Sequence, residues 1–350
     1  MKEFKLIRVS AAAPFERGVQ YGQQATEEIA ACIAFYRNKF ITTRKLSWEG
    51  ARDLAAMHLP DIEEAMPDLL EEAKGIASGA GVDFTDLLVL NCRYEISHFP
   101  HKEDEMECTA FALEREATAE GRVIVGQNWD MRPGLLKHAV LLDITEEETG
   151  NRIIGITEAG QLLRNGMNTR GVAQCSNSLH SCFDDVGHGI PSNFVRRKLL
   201  TMGNIADMVK LIRTAGRSVS VNYCIGTTEN VVTDVEAVPD HCVRLSPVKG
   251  VLAHANNLIV NQDTDTYRDE RFRAERLFEL LYSKRGAITV DYIKECLKDH
   301  EGYPGGICNH TVELKKPWQT IASVIYDLDA KRAWICYGPP CQGEYKEFQL

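Results

Sequence analysis

The chain of 350 residues lacks any apolar run close to the roughly 18 residues that span a bilayer. Its first residues carry charge, and no apolar stretch of the kind found in secretory signals follows them. With a net charge of −10, the chain also lacks the basic excess that binding to nucleic acid requires. We therefore expect a cytoplasmic protein whose partners are neither membranes nor nucleic acids.

Paired Cys-x-x-Cys motifs are absent, although the chain contains eleven cysteines. In the cytoplasm such thiols stay reduced, and most of them pack as small hydrophobic residues. The closest matches to a metal motif are His180-x-Cys182 and Cys308-x-His310, and each lacks the second ligand pair that a structural zinc site needs. The sequence thus predicts neither a metal nor a cofactor.

Hydrophobic residues make up 44% of the chain, and their spacing changes near residue 108. Before that point they recur at helical intervals in 15–40 and 62–77, and Gly79 and Gly81 predict the end of the second helix. After it, short β-branched runs between turn signals predict strands at 123–125, 140–144, 153–156, 171–175, 219–225, 231–235 and 251–252.

The second part of the chain is completed by helices and a hairpin. Apolar stripes predict helices in 195–212 and 272–281, and a hairpin of 321–328 with 331–336 follows. Because strands and helices form separate runs, the pattern favours an α+β fold. We expect one structural domain, with a helical segment of residues 1–107 packed on a catalytic part of residues 108–350.

Cys108 has the position of an N-terminal nucleophile, because a charged stretch precedes it and a strand-like run, 109–113, follows. If the chain cuts itself between Glu107 and Cys108, the freed α-amine, with a pKa of about 7.7–8.0, accepts the proton of the thiol. A cysteine thiol also has some thiolate at neutral pH. We therefore predict a zymogen that cleaves itself into two chains, which stay together as a heterodimer.

The runs 109–113 and 122–130 are expected to form an antiparallel hairpin. Continuing its register brings Cys108 opposite residue 129, 130 or 131, and Asp130 is the ionisable residue in that window. A carboxylate at this place would orient the α-amine. The competing interpretation is that Asp130 only ends a strand.

Two asparagines are candidates for the donors that stabilise an oxyanion. Asn256 follows the predicted strand at 251–252, and Asn177 ends the strand-like stretch from Gly171. Asparagine is disfavoured inside strands, so each is either a turn former or functional. His254 suggests a Cys/His pair instead, but a nucleophile that carries its own amine needs no imidazole.

Cys108-Thr109, followed by Gly126-Gln-Asn-Trp-Asp130, is a specific motif. Weaker matches lie on both sides of it: Gly18-x-x-Tyr-Gly22, Glu71-Glu-x-x-Gly-Ile-Ala77, Gly79-x-Gly81, Leu90-Asn91, the stretch from Gly171 to Asn177, Ala253-His-Ala-Asn256 and Ser323-Val-Ile-Tyr-Asp327. Together they resemble the acyl-coenzyme A:6-aminopenicillanic acid acyltransferase family. That family belongs to the N-terminal nucleophile hydrolases and is related to choloylglycine hydrolase and penicillin V acylase.

The resemblance implies a four-layer αββα sandwich, in which two antiparallel sheets stack between helical layers. It also implies self-cleavage before Cys108 and hydrolysis or exchange of an amide-linked acyl group through a thioester, with acyl-CoA as a candidate co-substrate. By motif position, Asp130 would hold the amine and Asn256 the oxyanion. Further candidates for substrate or oxyanion contacts are Thr109, Gln127, Trp129 and Asn177.

The sequence departs from the family pattern at three places. Glu107 stands where the fungal enzyme of that family has glycine. Gln127 stands where the bile-salt hydrolases have arginine, and this second difference favours the acyltransferase branch. The family also has a catalytic arginine in its C-terminal third, whereas 303–331 contains Lys315 and Lys316 but no arginine. The candidates to replace that arginine are Arg268, Arg271 and Arg273.

The predicted function is therefore that of an amidase or acyltransferase for a small N-acylated amine or amino acid derivative. Fold and nucleophile do not determine the acyl group. Two alternatives belong to other classes: an uncleaved, non-catalytic binding protein of the same fold, and a zinc hydrolase that uses His254 or the pair Cys308 and His310.

Overall fold

The computed structural model describes residues 3–98, 108–185, 187–267, 272–312 and 317–350. Glu107 with its charged neighbours, Arg268, Arg271, Lys315 and Lys316 therefore lie outside the described residues. Over the ranges described, no helix combines the length and the apolar character that crossing a membrane requires. The helices of these ranges are α1 Pro14–Gln24, α2 Thr26–Lys39, α3 Trp48–Ala56, α4 Leu59–Ala65, α5 Pro67–Ala80, α6 Phe84–Asn91, α7 Arg93–Ser97, α8 Ser192–Leu199, α9 Ile205–Thr214, α10 Phe272–Ser283 and α11 Val290–Cys296.

The strands form two sheets. The first sheet has the order β1-β4-β5-β6-β7-β8-β9-β10, and the second has the order β11-β2-β3-β12-β13-β14. Every neighbouring pair is antiparallel except β1 with β4. The strands are β1 Lys5–Ala11, β2 Thr109–Leu113, β3 Ile124–Met131, β4 Ala139–Glu146, β5 Asn151–Glu158, β6 Gly166–Asn168, β7 Val172–Ser178, β8 Val221–Thr227, β9 Val231–Ala237, β10 Cys242–Leu245, β11 Val251–His254, β12 Gln319–Asp327, β13 Arg332–Tyr337 and β14 Tyr345–Gln349.

The two sheets stack face to face between helical layers, which confirms the predicted αββα sandwich. Gly226 of β8 lies against the Val125 side chain of β3, so the inner faces of the two sheets touch. On the outer face of the second sheet, Phe111 and Ile325 share a separate apolar cluster with Leu277 of α10. The helices of the N-terminal part, together with α8 and α9, cover the first sheet.

Helices α1 and α5 pack backbone against backbone, which explains the glycine motifs of the N-terminal part. A Cβ atom at Gly18 would lie 2.7 Å from the amide nitrogen of Ile76, and one at Gly22 would lie 2.6 Å from that of Ala80. No real Cβ atom fits at such distances. The glycines therefore allow a close approach of two helices, a function that is structural rather than catalytic.

The N-terminal segment differs from the expectation in two ways. It contributes a strand, β1, which pairs in parallel with β4, so it is built into the first sheet and is more than a helical layer. Its helices are also shorter than predicted. The first predicted helix is divided at Ala25, between α1 and α2. The second is divided at Met66, directly before a proline that lacks the amide hydrogen a continuous helix needs.

Later elements follow the prediction more closely. Gly81, with φ at 67°, ends α5 as expected, and Asp83 caps α6 by accepting a hydrogen bond from the amide of Thr85. The seven predicted strands and the C-terminal hairpin are present. The stripe over 195–212 forms two helices instead of one, because Asn204 caps a new helix after a turn.

Candidate active site

The hairpin of β2 and β3 places Cys108 directly before a central strand of the second sheet. Thr109 pairs with Asn128 and Leu113 pairs with Ile124, so the predicted hairpin is confirmed. Cys108 is fully buried, and its side chain belongs to the apolar core between the sheets. Extending the register by one residue brings Trp129, not Asp130, opposite Cys108.

Asp130 is the next residue of β3, so its side chain points to the other face of the sheet from that of Trp129. The carboxylate accepts a hydrogen bond from the side-chain amide of Asn309 at 3.2 Å. Asp130 reaches Cys108 through its backbone, which hydrogen-bonds the thiol. The two residues are neighbours as predicted, but the strand period of two separates their side chains.

Asn256 contacts the backbone of Cys108. The amide nitrogen of Cys108 donates a hydrogen bond to Asn256 Oδ1 at 2.7 Å. The Nδ2 of Asn256 donates to the carbonyl oxygen and to the hydroxyl of Ser178, each at 2.9 Å. The pairing of β11 with β2 explains this placement, because Asn256 follows β11 by two residues and lies beside the start of β2.

Arg273 is the candidate arginine that the structure brings to the site. From α10, its Nη1 donates to the carbonyl oxygen of Cys108 at 3.0 Å and to Thr109 Oγ1 at 3.3 Å. Its Nη2 donates to Asn256 Oδ1 at 3.2 Å. The side chain is fully buried, so these charge-assisted hydrogen bonds form in a region of low dielectric constant.

Arg164 is a residue of the site that the sequence analysis missed. Its Nη2 lies 3.8 Å from Cys108 Sγ, and its guanidinium carbon lies 5.0 Å from the ring centre of Trp129. Gln127 instead connects the two sheets, since its Nε2 donates to the carbonyl oxygen of Ser176 at 2.6 Å. No local motif marks Arg164, because it lies 56 residues from Cys108 in the chain.

Burial raises the pKa of the Cys108 thiol. Arg164 opposes this effect because a cation favours the thiolate, whereas the charge of Asp130 raises the pKa further. The thiol of the folded chain is therefore less readily ionised than that of a free cysteine. A nucleophile in this environment depends on a base that accepts its proton.

Asn177 lies in β7 opposite Asn222, and both are buried. Its Oδ1 accepts a hydrogen bond from Asn222 Nδ2 at 3.3 Å. Its own Nδ2 donates to no other residue in the described part of the chain. Asn177 thus keeps a buried donor without a hydrogen bond to the described residues, and its role as an oxyanion donor stays a prediction.

His254 is engaged away from the nucleophile. Its Nε2 lies 2.9 Å from Glu236 Oε1, and its Nδ1 lies 2.8 Å from the carbonyl oxygen of Ala255. Burial lowers the pKa of His254, but the charges of Asp234 and Glu236 raise it by more. Both ring nitrogens of His254 thus contact groups other than Cys108. This placement does not support the Cys/His pair that the sequence left as an alternative.

A cavity of about 650 Å³ opens between the edge strands β10 and β11 and is covered by α10. Its lining is mostly apolar and includes Leu245, Leu252, Ile259 and Phe278. Ala255 and Asn257, on either side of Asn256, and Ala274, next to Arg273, also line the cavity. The cavity therefore adjoins the two residues that contact the backbone of Cys108. Asp234 lies in its wall, and burial raises the pKa of this carboxyl to about 6, although His254 and Asn222 lower it.

Two stacked antiparallel sheets between helical layers, with a buried cysteine before a central strand, define the fold class of the N-terminal nucleophile hydrolases. The sequence model of a family described as acyl-coenzyme A:6-aminopenicillanic acid acyl-transferase matches residues 117–342. The chain belongs to this family. The resemblance indicated by the sequence motifs is thereby confirmed, and so is the expectation of an enzyme.

Among curated relatives, the chain is 26% identical over 337 residues to the acyl-coenzyme A:6-aminopenicillanic-acid-acyltransferase 40 kDa form of Emericella nidulans, which covers 93% of this chain and 91% of the relative. It is 21% identical over 379 residues to an uncharacterized protein of Archaeoglobus fulgidus, covering 93% of this chain and 62% of that protein.

Two solved structures are similar to the chain at lower identity. A mutant of conjugated bile acid hydrolase from Clostridium perfringens is 11% identical, with a TM-score of 0.44, and the match covers 69% of this chain and 97% of that one. Penicillin V acylase from Agrobacterium tumefaciens is 8% identical, with a TM-score of 0.43, and the match covers 72% and 81%.

Proposed function

We propose that the chain is a self-cleaving N-terminal cysteine hydrolase or acyltransferase that acts on the amide bond of a small N-acylated amine or amino acid derivative. The observation that carries this proposal is the set of contacts around Cys108, whose thiol meets Arg164 and whose backbone is held by Asn256 and Arg273. Family membership supports the class of reaction, because the curated relative is named as an acyltransferase.

Self-cleavage would begin with attack of Cys108 Sγ on the carbonyl carbon of Glu107. The peptide C–N bond breaks, the nitrogen of Cys108 takes the thiol proton and becomes an α-amine, and the Glu107 acyl group is left on sulfur as a thioester. Water then hydrolyses the thioester and releases the carboxylate of Glu107. The hydrogen bond from the Cys108 nitrogen to Asn256 would orient this nitrogen throughout.

In the turnover reaction, the freed α-amine removes the thiol proton while Sγ attacks the acyl carbon of the substrate. Collapse of the tetrahedral intermediate breaks the amide C–N bond, and the proton passes from the α-amine to the leaving amine. The acyl group remains on Cys108 as a thioester until water, or a second amine, takes it. The raised pKa of the buried thiol makes this internal base necessary.

Each predicted site residue has a role in this scheme. Asp130 stabilises the ammonium form of the α-amine. Asn256 Nδ2 holds the oxyanion after it releases its hydrogen bond to the Ser178 hydroxyl, and Asn177 Nδ2 is the second candidate donor. Thr109 positions Arg273 through its hydroxyl. Two residues shape the walls of the site between the sheets: Trp129 lies under the Arg164 guanidinium, and Gln127 bridges to Ser176.

The apolar cavity beside Asn256 is the place that we assign to the acyl group, because its volume of about 650 Å³ suits a small molecule. Asp234 in its wall supplies one polar contact, which favours a substrate with an N–H or ammonium donor. Hydrolysis and transfer share every step up to the thioester. Product analysis with and without an amine acceptor, and with an acyl-CoA as acyl donor, distinguishes them.

The first experiment is the denatured intact mass of the purified protein beside the variant Cys108→Ala, with Cys92→Ala as the control at another buried cysteine. Two fragments, ending at Glu107 and beginning at Cys108, are expected for the unmodified chain and for Cys92→Ala but not for Cys108→Ala. A folded α and β heterodimer should then release an acyl group from N-acyl amino acids.

A single full-length species in all three proteins, together with failure of a small electrophile to label Cys108, would overturn the proposal. The chain would then be the uncleaved, non-catalytic binding protein of the same fold. Loss of activity on treatment with a chelator, without effect of Cys108→Ala, would instead favour a zinc hydrolase.

A further inference from the structure

Four side chains of the types that bind metals lie close together around Asn309, the residue that contacts Asp130. His300, Cys308, His310 and Cys341 place one ligand atom each so that all four lie within 4.8 Å of one another. Cys308 and His310 precede β12, whereas Cys341 follows β13, so three separate stretches of chain contribute. Among the hydrogen bonds of the described residues, none joins these four side chains to Cys108.

Four of the six distances among the ligand atoms are close to the edges of a tetrahedron around zinc. Zinc bonds of about 2.3 Å to sulfur and about 2.0–2.1 Å to nitrogen require edges of about 3.8 Å for S···S, about 3.5 Å for S···N and about 3.3 Å for N···N. The two Sγ atoms lie 3.6 Å apart, and His310 Nε2 lies 3.5 Å from Cys308 Sγ and 3.4 Å from Cys341 Sγ. The Nε2 atoms of His300 and His310 lie 3.0 Å apart.

We propose that His300, Cys308, His310 and Cys341 form a structural Zn²⁺ site. Two thiolates and two imidazoles in tetrahedral arrangement are a donor set that favours zinc over magnesium, calcium or manganese. Four protein ligands complete the coordination sphere and leave no position for water, so the ion stabilises the fold and performs no hydrolysis. The second ligand pair that the sequence motif Cys308-x-His310 lacked is thus supplied by the tertiary structure.

The site fixes the loop that supports Asp130. Asn309, between two of the ligands, donates its side-chain amide to Asp130 Oδ2 at 3.2 Å, and its backbone exchanges hydrogen bonds with Thr320 of β12. Cys341 lies on the turn after β13, so the ion joins the two turns that flank the β12–β13 hairpin. Binding of zinc therefore adds to the free energy of unfolding by linking chain segments far apart in sequence.

The test measures the metal itself. The protein is produced with added Zn²⁺, desalted, and compared by plasma mass spectrometry with Cys341→Ser and with Cys182→Ser, a matched control at another exposed cysteine. We expect about one zinc ion per chain in the unmodified protein and in the control, and at least roughly tenfold less in Cys341→Ser. Equal zinc in all three proteins, or no zinc in the unmodified protein, would overturn the proposal.

A second measurement uses only the unmodified protein and so does not depend on the folding of a variant. Apo protein titrated with Co²⁺ should give the intense visible absorption of a tetrahedral ion together with thiolate-to-metal charge transfer, saturating at about one equivalent. A weak octahedral spectrum would contradict the site. So would a disulfide between Cys308 and Cys341 in freshly purified protein, because it would consume two of the four ligands.

Discussion

Arg273 donates one hydrogen bond to the carbonyl oxygen of Cys108 and another to Oδ1 of Asn256. One guanidinium group thus contacts both the backbone of Cys108 and the side chain of Asn256. Asn256 in turn accepts a hydrogen bond from the Cys108 N–H. The family resemblance requires an arginine in the C-terminal third of the chain. Arg273 lies in that third, on a helix outside the stretch in which the motif was sought, and is our candidate for that arginine.

Replacement of Arg273 by Met is expected to abolish self-cleavage or to slow it by roughly 10²-fold, because three buried acceptors lose their cationic donor. Arg273→Lys should recover only part of the rate, since an ammonium cannot make the forked contact to Cys108 and Asn256. The rate is followed by intact mass during expression and refolding. Arg285→Met, at an exposed arginine just after the same helix, is the control and should process normally. Normal processing of Arg273→Met would show that the contact is not required.

Replacement of Arg164 by Met is expected to raise the pKa of the Cys108 thiol, because the cation that favours the thiolate is lost while the burial remains. The midpoint of the pH dependence of Cys108 alkylation by a small reagent should therefore move to higher pH. Arg170→Met, at an exposed arginine that donates to the carbonyl oxygen of Thr201, should leave the midpoint in place. A midpoint that stays constant or moves to lower pH in Arg164→Met would refute the electrostatic role.

Replacement of Gly18 by Ala is expected to lower the free energy of unfolding by about 1–3 kcal/mol, because the added Cβ atom meets the backbone of α5 and neither helix can yield cheaply. Chemical denaturation measures the change. Gly50→Ala is the control within a helix, where the nearest atom is the flexible end of the Leu46 side chain at 2.9 Å. A loss of stability at Gly50 as large as that at Gly18 would contradict backbone contact as the cause.

The Asp234 carboxyl is expected to make stability depend on pH between about 4 and 6. Its pKa is about 6 in the folded chain and 3.8 as the ordinary value, so in this range the folded state binds more protons than the unfolded state. The free energy of unfolding therefore falls as the pH rises, by at most about 3 kcal/mol from this group. Asp234→Asn lacks this decrease. Its stability relative to the wild-type protein should therefore be higher at pH 7 than at pH 4.

The comparison is made by denaturant unfolding of both proteins across the pH range, and the difference between them should become constant above about pH 7. Glu236→Gln is a useful second variant, since it changes the other carboxylate near His254 but leaves the buried Asp234. A difference between wild type and Asp234→Asn that does not vary with pH would mean that the pKa of Asp234 is the same in the folded and the unfolded chain.

Local patterns predicted a large part of the fold. The alternating runs after residue 108 gave the strands, and the short turn between 109–113 and 122–130 fixed the hairpin, because the antiparallel register of a hairpin depends on nearby residues alone. The same reasoning left residues 129, 130 and 131 open as the partner of Cys108, and the observed register continues to Trp129. A one-residue difference places a side chain on the opposite face of a sheet.

The sequence alone determined the nucleophile candidate and the family, because each depends on motifs within short stretches of chain, and the family resemblance in turn implied the sandwich fold. Only the tertiary structure decided which cations meet the nucleophile and which ligands complete a metal site. Arg164 and Arg273 reach Cys108 across 56 and 165 residues of chain, and Cys341 reaches Cys308 across 33. Such contacts are made by the stacking of sheets and helices, and no local pattern records them.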